Sequence, residues 1–149
     1  SGMTLLADPA RIDLHGTPTL LMHGDTLCTD DLAYQAFRRR VRHPLTLALL
    51  RRLPFSLRRR LARQARAGSE SAKAGKAAEI MDVNADAVIR ALREHQVRRL
   101  IHGHTHRPAR HVHVIDGNEC ERWVVPDWYA RWGYVVCDAA GCTLRVEDL

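Results

Sequence analysis

Two strings in this 149-residue chain carry side chains suited to metal or phosphate chemistry: His23-Gly24-Asp25 and His104-Thr105-His106. Neutral imidazole is a common ligand of divalent metals, and alternate residues leaving a strand point in diverging directions. That spacing suits His104 and His106 to serving two neighbouring metals rather than chelating one, with Gly103 permitting a tight backbone turn. His23-Gly24 repeats the pattern at the end of a second apolar run. The other six histidines, His15, His43, His95, His102, His111 and His113, have no such context and read as structural or solvated. His111-Val112-His113 imitates the paired motif, but a position within a strand puts both rings on one sheet face.

Strand ends must therefore converge to bring these imidazoles together. Thr17 to Met22, bounded by Gly16 and His23-Gly24-Asp25, reads as a buried strand that delivers His23 and Asp25 at its C-terminal edge. Val97 to Ile101 reads as a second strand feeding His102 to Pro108. Thr29 is a candidate N-cap, with Asp30 and Asp31 in the first turn, for a helix over Leu32 to Val41. Pro44 and Pro54 divide the next region into helices at Leu45 to Leu53 and Ser56 to Ala67; Leu53, Leu57 and Leu61 form a stripe. Gly68 to Ser71 breaks that pattern, and a further helix is expected over Ala72 to Met81. Asn84 caps an amphipathic helix from Ala85 to His95. Strands follow at Arg110 to Ile115 and Glu119 to Val125 around Asp116-Gly117-Asn118, then at Tyr134 to Cys137 and Cys142 to Val146. Helix and strand alternate before residue 105 and strands dominate after it, which points to a layered α/β sandwich.

Composition is that of a globular chain, 46% hydrophobic and 27% charged with a net charge of +6, and it excludes a disordered or coiled-coil protein. The charge is unevenly placed. Arg38 to Lys76 holds 13 basic side chains and one acid, whereas the remaining 110 residues hold 10 basic and 16 acidic. A segment of net +12 inside an acidic body implies an anionic partner: phosphate, nucleic acid or an acidic lipid surface. Cys28, Cys120, Cys137 and Cys142 form no CxxC pair, and neither a signal peptide nor an apolar run near 18 residues is present. That combination predicts free thiols in a reducing compartment and no membrane span.

Three strings acting together are more specific. His23-Gly24-Asp25-Thr26-Leu27-Cys28-Thr29-Asp30-Asp31 with Tyr34 to Arg38, Ile80-Met81-Asp82-Val83-Asn84, and Ile101-His102-Gly103-His104-Thr105-His106-Arg107-Pro108 occur in order. Together they closely resemble the UDP-2,3-diacylglucosamine hydrolase family, calcineurin-like metallophosphoesterases of lipid A biosynthesis. The resemblance runs nearly end to end and implies a calcineurin-like fold, incomplete here, with residues 1–149 the C-terminal part of one domain and 32–82 a helical lid insertion.

By that resemblance His23 and His104 are ligands of one Mn²⁺ and His106 of another, with His104 also a catalytic residue touching phosphate. Asp31, Tyr34, Arg66, Ser69, Lys73, Lys76 and His104 fall where the family binds its substrate, and the leucine stripe would hold acyl chains. Lys73 and Lys76, at i and i+3, would share one side of a helix. The implied reaction is attack of metal-activated water on the α-phosphorus of UDP-2,3-diacylglucosamine, giving UMP and 2,3-diacylglucosamine 1-phosphate (lipid X). The implied location is cytoplasmic, peripheral on the anionic inner-membrane surface.

The family's opening Asp-x-His, its Gly-Asp-x-x-Asp and its Gly-Asn-Arg-Asp are absent; Asp13-Leu14-His15 matches the first only as text. Three histidines alone do not satisfy two Mn²⁺ ions, which need carboxylate and carbonyl oxygens. The 149-residue chain by itself is therefore expected to be inactive. Two alternatives stand beside this reading. One is a basic nucleic-acid-binding module, disfavoured because only Tyr34, Phe37 and Phe55 offer stacking platforms near the basic segment. The other is a related phosphodiesterase with a different nucleotide substrate.

Overall fold

The computed structural model describes residues 2–73, 82–129 and 131–148. It is a mixed α/β chain that divides into two units, Ser1–Leu27 with Val83–Leu149, and Cys28–Asp82.

The first unit is built on a five-stranded mixed sheet in the order β1-β2-β3-β5-β4, from β1 (Ala10–Leu14), β2 (Thr17–Met22), β3 (Arg99–His102), β4 (Ala109–Ile115) and β5 (Asn118–Val124). β2, β3 and β5 run parallel, in a register that places Met22 beside His102 and His102 beside Val124. Both antiparallel edges close through two-residue turns with positive φ, at His15-Gly16 and Asp116-Gly117. This backbone twist suits a hairpin. The Asp13 carboxylate accepts from the Gly16 amide at 2.8 Å. Asp13 is thus a turn residue, and β1 was missed in the sequence because five alternating residues give little periodicity.

The helix Ala85–Glu94 packs on this sheet, started by the Asn84 carboxamide oxygen accepting from Ala87 at 3.0 Å. Its Val88 and Leu92 meet Leu20 of β2 and Leu100 of β3 in the main apolar cluster, joined by Leu27, Val97, Ile115 and Cys120. Burying a side chain of this size contributes about 1.5–3 kcal/mol. The Asn84 amide donates to the Leu27 carbonyl at 2.9 Å, so residues on either side of Cys28–Asp82 meet within this unit.

A separate two-stranded sheet pairs β6 (Arg131–Asp138) with β7 (Gly141–Asp148). Cys137 lies opposite Cys142, and the two form a disulfide. This corrects the expectation of four free thiols, which spacing could not reveal: the pair is adjacent only because the hairpin aligns it. Cys28 and Cys120 are free and buried.

The second unit is helical. In chain order α1 is Leu32–Val41, α2 Pro44–Arg52 and α3 Phe55–Lys73, which makes the sheet-packed helix Ala85–Glu94 α4. Asp31, not Thr29, caps α1, its Oδ1 accepting from the Tyr34 amide at 3.0 Å. Pro44 begins α2, where its missing amide hydrogen costs nothing. α3 runs through Gly68 to Ser71, so the expected break there is not observed. Three residues of weak propensity, Gly68, Ser69 and Ser71, cost less than ending a 19-residue helix that already has its nucleus. The helix expected over Ala72 to Met81 lies, from residue 74 onward, outside the described residues. Among the described residues, no helix is long and apolar enough to cross a membrane.

Candidate functional site

The parallel strands β2 and β3 end side by side, and their exits form the candidate site. The Gly103 amide donates to the His23 carbonyl at 3.1 Å, and the Val125 amide to the His102 carbonyl at 2.9 Å, so pairing continues one residue past each strand. This brings His23 and His104 together edge to face, with ring centroids 5.0 Å apart. His106 turns elsewhere: its Nδ1 meets Asp127 Oδ2 at 3.2 Å. A carboxylate facing one ring nitrogen is the arrangement that commonly orients metal-ligating histidines.

Backbone shape at these exits differs from the expectation for Gly103. The positive φ values fall on His104 (69°) and His106 (55°), two non-glycine residues. Each costs about 1–2 kcal/mol relative to ordinary backbone, and such strain concentrates where function holds it in place. Gly103 has room for a Cβ at ordinary contact distances, 3.6 Å from Val125. Gly24 is the restrictive one: its φ is +104°, and a Cβ there would lie 2.7 Å from His102 Nδ1.

Beside the two exits is a pocket of about 350 Å³, walled by Leu21, Ile101 and Val125 with His23 and Asp8 at its border. Asp8 Oδ1 accepts from the His23 amide at 3.1 Å, steadying this loop from the N-terminal side. Sequence reasoning did not find Asp8 or Asp127, while His102, read as structural or solvated, is buried. For Asp127 a signal existed, since it leaves β5 as His23 and His104 leave β2 and β3.

Asp31 is buried and Tyr34 half-buried at the start of α1, while Arg66 and Ser69 are exposed on α3. Lys73 is the last residue of α3, and Lys76 lies outside the described residues. Arg66, Ser69 and Lys73, at i, i+3 and i+7, fall on one helical face.

Metal binding can be judged on the donors present. Among the described residues no group of three His, Cys, Asp or Glu side chains gathers to hold a metal ion. His23 and His104 supply adjacent nitrogen donors, but the carboxylates that hold hard divalent cations close together are not gathered around them. By themselves, the described residues do not fit a two-manganese centre.

No family model matches the chain. It is 54% identical over 140 residues to the UDP-2,3-diacylglucosamine hydrolase of Aromatoleum aromaticum. It is 50% identical to that of Azotobacter vinelandii and 51% to that of Pseudomonas aeruginosa PAO1, each over 141 residues. The chain is similar to UDP-2,3-diacylglucosamine hydrolases. These matches take in 93%, 95% and 95% of this chain, but only 57%, 58% and 59% of the three hydrolases. The chain thus spans less than two thirds of the length of the hydrolases it matches.

Proposed function

We propose that the protein to which this chain belongs hydrolyses UDP-2,3-diacylglucosamine in lipid A biosynthesis, releasing UMP and 2,3-diacylglucosamine 1-phosphate, on a calcineurin-like fold. The observation that carries this is the similarity to the hydrolases at about half identity across nearly the whole chain. The paired rings of His23 and His104 at two strand exits support it.

Manganese belongs to the proposal: His23, His104 and His106 are read as nitrogen ligands, with the oxygen ligands supplied by residues other than these. When bound, such ions lower the pKa of water and neutralise phosphoryl charge. The chain's own part is positional. Asp127 holds the His106 ring. Arg66, Lys73 and Lys76 offer cations to the diphosphate, and Asp31, Tyr34 and Ser69 offer polar contacts to the sugar. Residues 32–82 act as the lid. Leu45, Leu49, Phe55 and Leu57 are exposed among arginines on its helices, which suits them to acyl chains and to an anionic membrane surface at the cytoplasmic face.

The test is release of UMP from UDP-2,3-diacylglucosamine in ¹⁸O-water with Mn²⁺. A chain of the hydrolases' full length that includes these 149 residues should turn over and place the label in UMP, as attack on the α-phosphorus requires. The 149 residues alone should not turn over. Label in the lipid phosphate would refute the site of attack. Absence of turnover in the longer chain would refute the substrate, and hydrolysis by the 149 residues at a similar rate would refute their inactivity.

A further inference from the structure

His102 stands between the two candidate loops without belonging to either set of predicted ligands. It is 1% exposed. Its Nδ1 lies 2.8 Å from the Gly103 carbonyl and its Nε2 lies 3.2 Å from Arg122 Nη1. Its ring also fills the space that a side chain at Gly24 would take. Arg122 is itself buried, on β5 beneath the same loops.

We infer that His102 is a positioning residue: held by Arg122, it fixes the Gly103 carbonyl and the Gly24 backbone, and so sets the distance between His23 and His104. The argument is one of donors and acceptors. A guanidinium has only N–H groups to give, so the Nε2 it approaches must be an acceptor. The ring proton is then on Nδ1, where it is donated to the Gly103 carbonyl. One arginine thereby selects the tautomer that ties the ring to the second loop, while the ring's edge rests against the first. Because Gly103 also donates to the His23 carbonyl, the two loops are joined both directly and through His102. Loss of the clasp releases both imidazoles together.

This inference rests on His23 and His104 being the working imidazoles, so its test reads their geometry and not turnover. The experiment is long-range proton–nitrogen spectroscopy of the histidine rings in the ¹⁵N-labelled 149-residue chain. His102 should appear as the single Nδ1–H tautomer; the Nε2–H form, or an exchanging mixture, would overturn the inference whether or not any variant folds. In Arg122→Met the single tautomer should be lost and the ring signals of His23 and His104 should both move, with Arg122→Lys restoring them in part. His102→Asn keeps a donor at the Nδ1 position and should hold the His23 and His104 signals nearer wild type than His102→Leu does. Signals of His23 and His104 that stay fixed in a folded Arg122→Met chain would also overturn it. Absent turnover in the longer enzyme alongside an intact tautomer would instead count against the proposed function.

Discussion

Replacing Asp127 with Asn preserves shape but removes the negative charge that faces His106 Nδ1. In the full-length hydrolase proposed above we expect Asp127→Asn to lower kcat/KM about 10- to 100-fold, the usual cost of losing a carboxylate behind a working histidine. A steady-state assay that finds wild-type kcat/KM would show that the Asp127 contact is incidental. Gly24 makes a different prediction. An added methyl meets His102 Nδ1 on a backbone of positive φ. Gly24→Ala should therefore destabilise the chain by about 1–3 kcal/mol, read as a lowered thermal midpoint. The two histidine strings themselves were legible because residue type and strand-end position both show in sequence. Asp127 and His102 were not, since their roles come from contacts across the sheet.

Strand β5 carries a second polar arrangement, on the face opposite Arg122. Glu121 accepts from Arg99 Nε at 3.1 Å, Arg110 Nη2 at 2.7 Å and Trp123 Nε1 at 3.2 Å. Burial pushes its carboxyl pKa up, but the bonds from Arg110, Trp123 and Arg99 outweigh this and leave it below the ordinary glutamate value. Burial, and then the charge of Arg122, push His113 down as well. Both groups have folded pKa values below their unfolded ones, so both contribute stability at neutral pH that is lost on acidification. His113 begins to withdraw its share as pH falls through about 6.5, and Glu121 as it falls through about 4.3. Urea midpoints measured across this range should fall in both windows, with the lower step reduced in Glu121→Gln. A midpoint independent of pH would contradict the sign of both shifts. Leu100→Ala, at the centre of the α4 contact, should cost about 2–5 kcal/mol at any of these pH values. Helices α1, α2 and α4 were readable to within a residue or two from caps, prolines and periodicity. The β6–β7 disulfide was not, because strand register decides which cysteines meet.

At the scale of the whole molecule, charge and apolar exposure coincide in Cys28–Asp82. Its helices α1 and α2 bury no side chain fully, and Phe37, Leu45, Leu49, Phe55 and Leu57 are exposed between arginines. Sedimentation with vesicles should show binding to anionic lipid that weakens as salt rises but is not abolished, because the leucines contribute a salt-independent part. Binding equally strong to neutral vesicles would remove the arginines from the account, and preferential binding to random DNA would favour the nucleic-acid reading. The net +12 of Arg38 to Lys76, within this region, was visible from counting alone. Its standing as an insertion over 32–82 was expected from the family resemblance and not from the residues themselves, because local periodicity says nothing about which helices share a core.

The bond between Asn84 and Leu27 has an engineering consequence. It pins together the chain on either side of Cys28–Asp82, so the ends of that segment need no length of their own to be bridged. A helical segment entered and left at one point can be cut out or exchanged with little cost in loop-closure entropy. Over generations such a cassette is free to be exchanged while the strand exits that carry the histidines stay as they are.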